Sequence, residues 1–263
     1  MADQSRRAYS AKVFKKITRK VGTTIRDHIM IGEGDHVLVG LSGGKDSLIL
    51  LEALAERKKA APYPFNLSAA HVAAEGIGYH IDRAKLESFC RNLDVPFHYQ
   101  TIKPDLEKDP AKSACFVCSW HRRKALFALT RELGYNRLAL GHHRKDAVET
   151  LLLNMVYHGS ISSLPYSLEM FGGRIRLIRP LMDLDERLLE DYAATAGLVQ
   201  VERSCPLENH SKRKQMTGLI DEIEKIHGRG PYNVFRSMDK ICREYLPRAK
   251  PGELPRTKSG RDD

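Results

Sequence analysis

The apolar run Val37-Leu38-Val39 breaks into the turn Leu41-Ser42-Gly43-Gly44-Lys45-Asp46-Ser47, then resumes at helical spacing with Leu48, Leu51, Leu54 and Ala55. This strand, glycine turn and helix constrain the fold more than any other stretch. Glycines let the backbone curl around an anion, and the first turn of a helix offers unpaired N–H groups to it. The expected guest is a phosphate or pyrophosphate. A Walker A loop is excluded, because Lys45 is followed by Asp46 and the glycine spacing differs.

The rest of the chain repeats that rhythm. Strands are expected over 36–41, 67–73, 97–102, 137–141 and 175–181, with helices over 45–59, 81–93, 118–133, 147–157 and 184–196. Short apolar runs alternating with helical periods predict an α/β fold with a doubly wound, mostly parallel sheet. Ligands of such sheets bind beyond the carboxyl ends of the strands. Two stretches read as loops: the charged 104–113 and the Gly/Ser/Pro-containing 159–173.

Four regions are expected along the 263 residues. Residues 1–31 form a basic amphipathic helix, with Tyr9, Val13, Phe14, Ile17, Val21, Ile25 and Ile29 in one stripe and lysines and arginines on the other faces. That basic face is either solvated or a contact for nucleic acid. Residues 32–200 form the α/β domain, 201–246 a helical region without strands, and 247–263 a tail too poor in apolar residues to pack. No run approaches the ~18 apolar residues of a membrane helix. The opening Met1-Ala2-Asp3-Gln4-Ser5-Arg6-Arg7 lacks a secretory core, so a cytoplasmic protein without membrane contact is expected. A net charge of +10 favours polyanionic partners.

A second strand end, Leu138-Ala139-Leu140, turns into Gly141-His142-His143-Arg144-Lys145-Asp146, with Glu149 and Thr150 following. It should face the glycine turn across the sheet crevice. His142 and Asp146 suit contacts to phosphate, ribose or metal, and Asp146 with Asp46 can hold Mg²⁺, a hard cation that takes carboxylate oxygens.

Five cysteines, an odd number, argue against a secreted disulfide framework. Cys115-Phe116-Val117-Cys118 is a CxxC at the mouth of a helix, and Cys205 stands alone before Pro206. Spacing leaves three chemistries open: a [4Fe–4S] cluster on three thiolates with one iron open, a zinc site completed by His121 or His210, or dithiol redox chemistry. Cys90 and Cys242 are expected in helices as buried apolar residues. Arg122, Arg123 and Lys124 follow the CxxC and are expected to offer one cation to nucleotide phosphate or nucleic acid. Lys212-Arg213-Lys214 is a second basic cluster, with His227, Arg229 and Arg236 beyond it.

Taken in order, Ser42-Gly43-Gly44-Lys45-Asp46-Ser47, Cys115-Phe-Val-Cys118-Ser-Trp-His-Arg122-Arg123 and Gly141-His142-His143-Arg-Lys-Asp146 resemble the PP-loop ATP-pyrophosphatases that thiolate tRNA, most of all the 2-thiocytidine synthetases. The match extends through Leu153–Tyr157 and Arg179-Pro180-Leu181, covering roughly residues 30 to 245. The resemblance implies an adenine nucleotide α-hydrolase-like fold that binds ATP and Mg²⁺. Ser42, Gly43, Gly44, Lys45, Asp46, Ser47, His71, Gly141, His142 and Asp146 would contact nucleotide, with Asp46 and Asp146 on Mg²⁺. It also implies a [4Fe–4S] cluster on Cys115, Cys118 and Cys205, and a reaction carried by Asp46, Arg123 and these thiols. In that reaction ATP adenylates C2 of a cytosine in the tRNA anticodon loop, and sulfide from a cysteine desulfurase or another donor replaces the oxygen. A homodimer is an allowed assembly. The alternative is a synthetase of the same type that thiolates or amidates another base or a small molecule. Three departures stand out: Lys145 where family members usually carry an acid, Glu208 where a second cysteine is common, and Ala73–Gly78, which resembles the 2-thiouridine branch.

Overall fold

The computed structural model describes residues 2–76, 80–106, 113–198, 203–204 and 212–247. Cys205, Pro206, Glu208, His210 and residues 248–263 lie outside the described residues. Helix α1 (Ala2–Asp27) precedes strand β1 (His36–Gly40), α2 (Lys45–Ala60), β2 (Asn66–Ala74), the short β3 (His80–Ile81), α3 (Arg83–Asn92) and β4 (Phe97–Ile102). Then come α4 (Ala114–Glu132), β5 (Arg137–Leu140), α5 (Arg144–His158), β6 (Ser167–Met170), β7 (Ile175–Ile178) and α6 (Glu186–Ala196). A two-residue β8 (Arg203–Ser204), α7 (Lys212–Ile226) and α8 (Gly230–Ser237) complete the order.

The main sheet has six strands in the order β4-β2-β1-β5-β7-β6. All pairs are parallel except β6–β7, an antiparallel edge. Strand β6 corrects the sequence reading, which had a loop over 159–173. Its edge position leaves Leu168 and Glu169 exposed, so it carries no apolar run to announce it. Inner strands are sandwiched between helices on both faces, and their side chains alternate accordingly. Val37 and Val39 pack into a core with Ile17, Val21, Leu51, Leu54 and Leu189 from α1, α2 and α6. Leu38 points the other way, into a cluster with Phe127, Leu138 and Leu177.

Helix α1 is therefore built into the body through its apolar stripe, with Val13, Ile17, Val21 and Ile25 buried. Arg6 donates to the Ala194 and Thr195 carbonyls at the end of α6, and the Tyr9 hydroxyl donates to Asp191. Helices α7 and α8 close over α5 through Ile220 and Phe235, which meet Ala147 and Val148. Cys90 is buried as expected, and burial pushes its thiol up to about 12, which leaves it inert near neutrality. Cys242 departs from expectation. It is exposed and lies outside any helix, because α8 stops at Ser237.

Candidate active site

Strand order decides where a ligand sits. From β1 the chain builds outward through β2 and β4, then crosses back to place β5 on the other side of β1. The β1/β5 boundary is thus the topological switch point, and the turns leaving these two strands flank one crevice. Those turns are the two glycine-containing segments singled out in the sequence.

The first turn is closed by its own hydroxyls. Ser47 Oγ donates to the Gly44 carbonyl at 2.9 Å and accepts from the Ser42 amide at 3.1 Å. The Gly44 amide donates to Ser42 Oγ at 3.2 Å. Gly43 has φ +83°, left-handed backbone that a side chain would strain. No side chain caps the start of α2, so its first N–H groups stay available to an anion.

The second turn interlocks with the first. A Cβ on Gly141 would lie 3.0 Å from the Asp46 carbonyl carbon and from the Ser47 nitrogen, both backbone atoms. Gly141→Ala is accordingly expected to cost ~1–3 kcal/mol of stability and to shift the glycine turn. Calorimetric titration should then show nucleotide affinity lowered about tenfold, the effect of ~1.4 kcal/mol.

Charged groups converge between these turns. The His143 imidazole Nε2 lies 3.6 Å from Asp146 Oδ2, 3.8 Å from Glu186 Oε1 and 4.0 Å from Asp46 Oδ2. Asp146 also accepts from the His143 amide at 2.8 Å, which holds its carboxylate at the helix start. Burial raises the pKa of Asp46, and the positive charges of Lys45 and His143 only partly offset this. Its Oδ1 is buried with no hydrogen-bond partner. An orphaned carboxylate oxygen beside a second carboxylate is a donor set that fits Mg²⁺.

Glu186, which sequence reading missed, ties both lysines of the site. Lys45 Nζ reaches it at 3.3 Å and Lys145 Nζ at 2.8 Å. Burial works against the Glu186 charge, yet the hydrogen bond and charge of Lys145, with Lys45, bring its pKa below the ordinary value. Lys145, the departure from the family pattern, is thereby paired with a carboxylate from the start of α6.

His71 is 0% exposed, and its Nδ1 is 2.8 Å from the Leu41 carbonyl at the root of the glycine turn. It thus acts from beneath the turn. Burial, reinforced by Arg122, lowers its pKa to about 4 from 6.5, against the hydrogen bond to Leu41. Above pH 6.5 the ring is neutral in both folded and unfolded chains. As pH falls from 6.5 toward about 4, only the unfolded chain takes up the proton, so stability drops. The full loss is ~3 kcal/mol. Denaturant melts across that range should show a flatter acid limb for His71→Gln, which keeps a donor for Leu41.

The cysteine turn sits over the same edge of the sheet. Ser113 Oγ caps α4, and Cys115 and Cys118 occupy its opening turn, Cys118 only 7% exposed. One turn further, Arg122 Nε donates to the Val72 carbonyl at 2.9 Å, pinning α4 to the carboxyl half of β2. Two thiols three residues apart on one helical turn fit a shared metal or cluster. Arg123 lies exposed on the next position. Its charge acts on Arg179, a second residue that sequence reading did not assign to the site. Arg179 is 5% exposed, has a buried Nε without a hydrogen-bond partner, and also feels Asp146. Burial and Arg123 lower its pKa to about 10, so it stays cationic at neutral pH. The signal for it was the Arg179-Pro180-Leu181 motif after β7. Glu186 had none, because its contact with Lys45 spans 141 residues of sequence. His142 is half-buried at the lip of the second turn.

A doubly wound sheet with an uncapped glycine turn at its switch point defines a nucleotide-binding domain, and the family model of the PP-loop domain matches residues 13–216. The chain belongs to this PP-loop family. Among its relatives, the tRNA-cytidine(32) 2-sulfurtransferase of Burkholderia cenocepacia (strain HI2424) is 36% identical over 89% of this chain and 72% of its own length. That of Pelobacter propionicus (strain DSM 2379 / NBRC 103807 / OttBd1) is 36% identical over 81% of each chain. The structure of the U34-tRNA thiolase NcsA from Methanococcus maripaludis with its [4Fe-4S] cluster superposes with a TM-score of 0.73. It is 28% identical and covers 90% of this chain and 81% of that one.

Proposed function

We propose that the chain is an ATP-dependent tRNA 2-thiolation enzyme acting on a cytidine of the anticodon loop. The observation that carries this reading is the interlock of the two turns at the β1/β5 switch point, with the Cys115–Cys118 turn over the same sheet edge. The names of the relatives, among them cytidine(32) sulfurtransferases, support the acceptor.

The chemistry follows from what each group can do. The glycine turn and the start of α2 receive the β- and γ-phosphates through backbone N–H groups, with Lys45 adjacent. Asp46 and Asp146 would hold Mg²⁺, which neutralises phosphate oxygens. The cytosine O2 attacks the α-phosphorus, the bond from that phosphorus to the bridging oxygen breaks, and pyrophosphate leaves. Arg179 and Arg123 are placed to offset negative charge growing at the phosphates, and burial makes Arg179 the more effective of the two. In the second step sulfide forms the new bond to C2, and AMP departs with the former O2. When bound on Cys115, Cys118 and Cys205, a [4Fe–4S] cluster supplies an iron without a protein ligand for the sulfur chemistry. A cysteine desulfurase or another sulfide donor serves as the source, and a homodimer is the assembly to seek by light scattering.

The test is reconstitution. Protein purified without oxygen should be brown. With ATP, Mg²⁺, sulfide and unmodified tRNA it should yield 2-thiocytidine and one pyrophosphate per thiolation event. A colourless preparation with stoichiometric zinc would remove the cluster, and 2-thiouridine as product would move the chain to the other branch.

A further inference from the structure

Helix α4 buries Val117 and Cys118 but leaves two aromatic rings in solvent beside the cysteines. Phe116 is 50% exposed and Trp120 46% exposed. They lie four residues apart, as do Trp120 and Lys124, so the three side chains form one row on the same helix face. Lys124 Nζ sits 5.2 Å from the centre of the indole, and the His121 ring meets its edge at 5.0 Å. Before Glu132 the helix carries no carboxylate, while Arg123 and Lys124 are exposed beside the rings.

Exposed large aromatics on a hydrophilic helix cost solvation, and nothing in the fold uses this pair as core. Bare rings interleaved with cations, on a chain of net charge +10, match the chemistry of single-stranded nucleic acid. Unpaired bases stack on aromatic faces while cations meet the adjoining phosphates. A protein partner would be expected to ask for a drier, less cationic patch. We propose that Phe116 and Trp120 form a stacking platform for an unpaired base of the substrate RNA loop, with Lys124 on a neighbouring phosphate. This rests on the tRNA reading above and adds the residues that would recognise an open loop as opposed to a stem. Trp120 and Phe116 here act in binding and positioning.

Trp120 is the sole tryptophan of the chain, so its fluorescence reports on this position alone. The anaerobically purified full-length protein is titrated with a tRNA anticodon stem-loop, and with the same stem as a blunt duplex. Binding is followed independently by the anisotropy of a label on the RNA. The stem-loop should quench Trp120 saturably, in step with binding, and the duplex should leave it nearly unchanged. Trp120→Ala should weaken stem-loop affinity about tenfold and raise KM for tRNA, with ATP affinity untouched, while Trp120→Phe restores most of it. Phe116→Ala, with Trp120 retained as probe, should reduce the quench. A stem-loop that binds while Trp120 stays silent overturns the platform and leaves the thiolation reading intact. Absence of any RNA binding overturns both. Fluorescence that tracks protein concentration, with dimers by light scattering, assigns the patch to a second copy and overturns the platform.

Discussion

Asp46→Asn is expected to lower pyrophosphate release from ATP about a thousandfold, while the folded protein becomes more resistant to heat. The loss follows from removing one of two carboxylates that face each other across His143, where charge on the phosphates has to be balanced. The gain follows from burial. In the folded chain the Asp46 pKa is raised, so at neutral pH its ionised form costs stability relative to the unfolded chain. Asparagine keeps the shape and removes that cost. Lys45 retains Glu186 as a partner. Opposite signs for activity and stability are the mark of a functional carboxylate, and a purely structural Asp46 would show both falling together. Single-turnover pyrophosphate assays and thermal melts without nucleotide measure the two sides.

Cys118→Ser is expected to abolish thiolation and the brown colour while ATP binding survives within about twofold, since the phosphate cradle is built on other elements. A buried hydroxyl in place of the thiol should cost only ~1–2 kcal/mol of stability. Cys115→Ser should behave in the same way. Two other cysteines calibrate the result. Cys90→Ser should lower stability, because the site is fully buried, and keep the colour. Cys242→Ser, at an exposed position, should change neither. Visible absorption, iron content and nucleoside analysis separate these outcomes. Loss of colour in Cys90→Ser at temperatures where it stays folded would contradict the assignment.

Much of the site could be read from the residues because the chemistry falls at strand ends, where an apolar run stops and a polar turn begins. Val37–Val39 and Leu138–Leu140 announce buried parallel strands, and the residues after them must then lie at the carboxyl edge. What no local pattern reveals is which side chains from distant elements turn toward that edge. Glu186 looks like an ordinary acidic first turn behind the cap Asp185, yet it binds Lys45 and Lys145. Arg179 reads as the polar end of a strand, but its side chain is buried and acts on the same centre as Arg123 and Asp146. His71 shows the converse: the residue type pointed to a ligand contact, whereas its place in an inner strand makes it a support for Leu41. Edge strand β6 stayed hidden because Ser167–Met170 has one face in water and only four residues. Cys242 was read as buried because a helical period was extended past Ser237.

The most direct test of the account is nucleoside mass spectrometry of tRNA from a strain lacking this chain. The account predicts that 2-thiocytidine disappears, returns with the intact protein, and fails to return with Asp46→Asn or Cys118→Ser. Thionucleosides that stay at parental level in the deletion strain would contradict it.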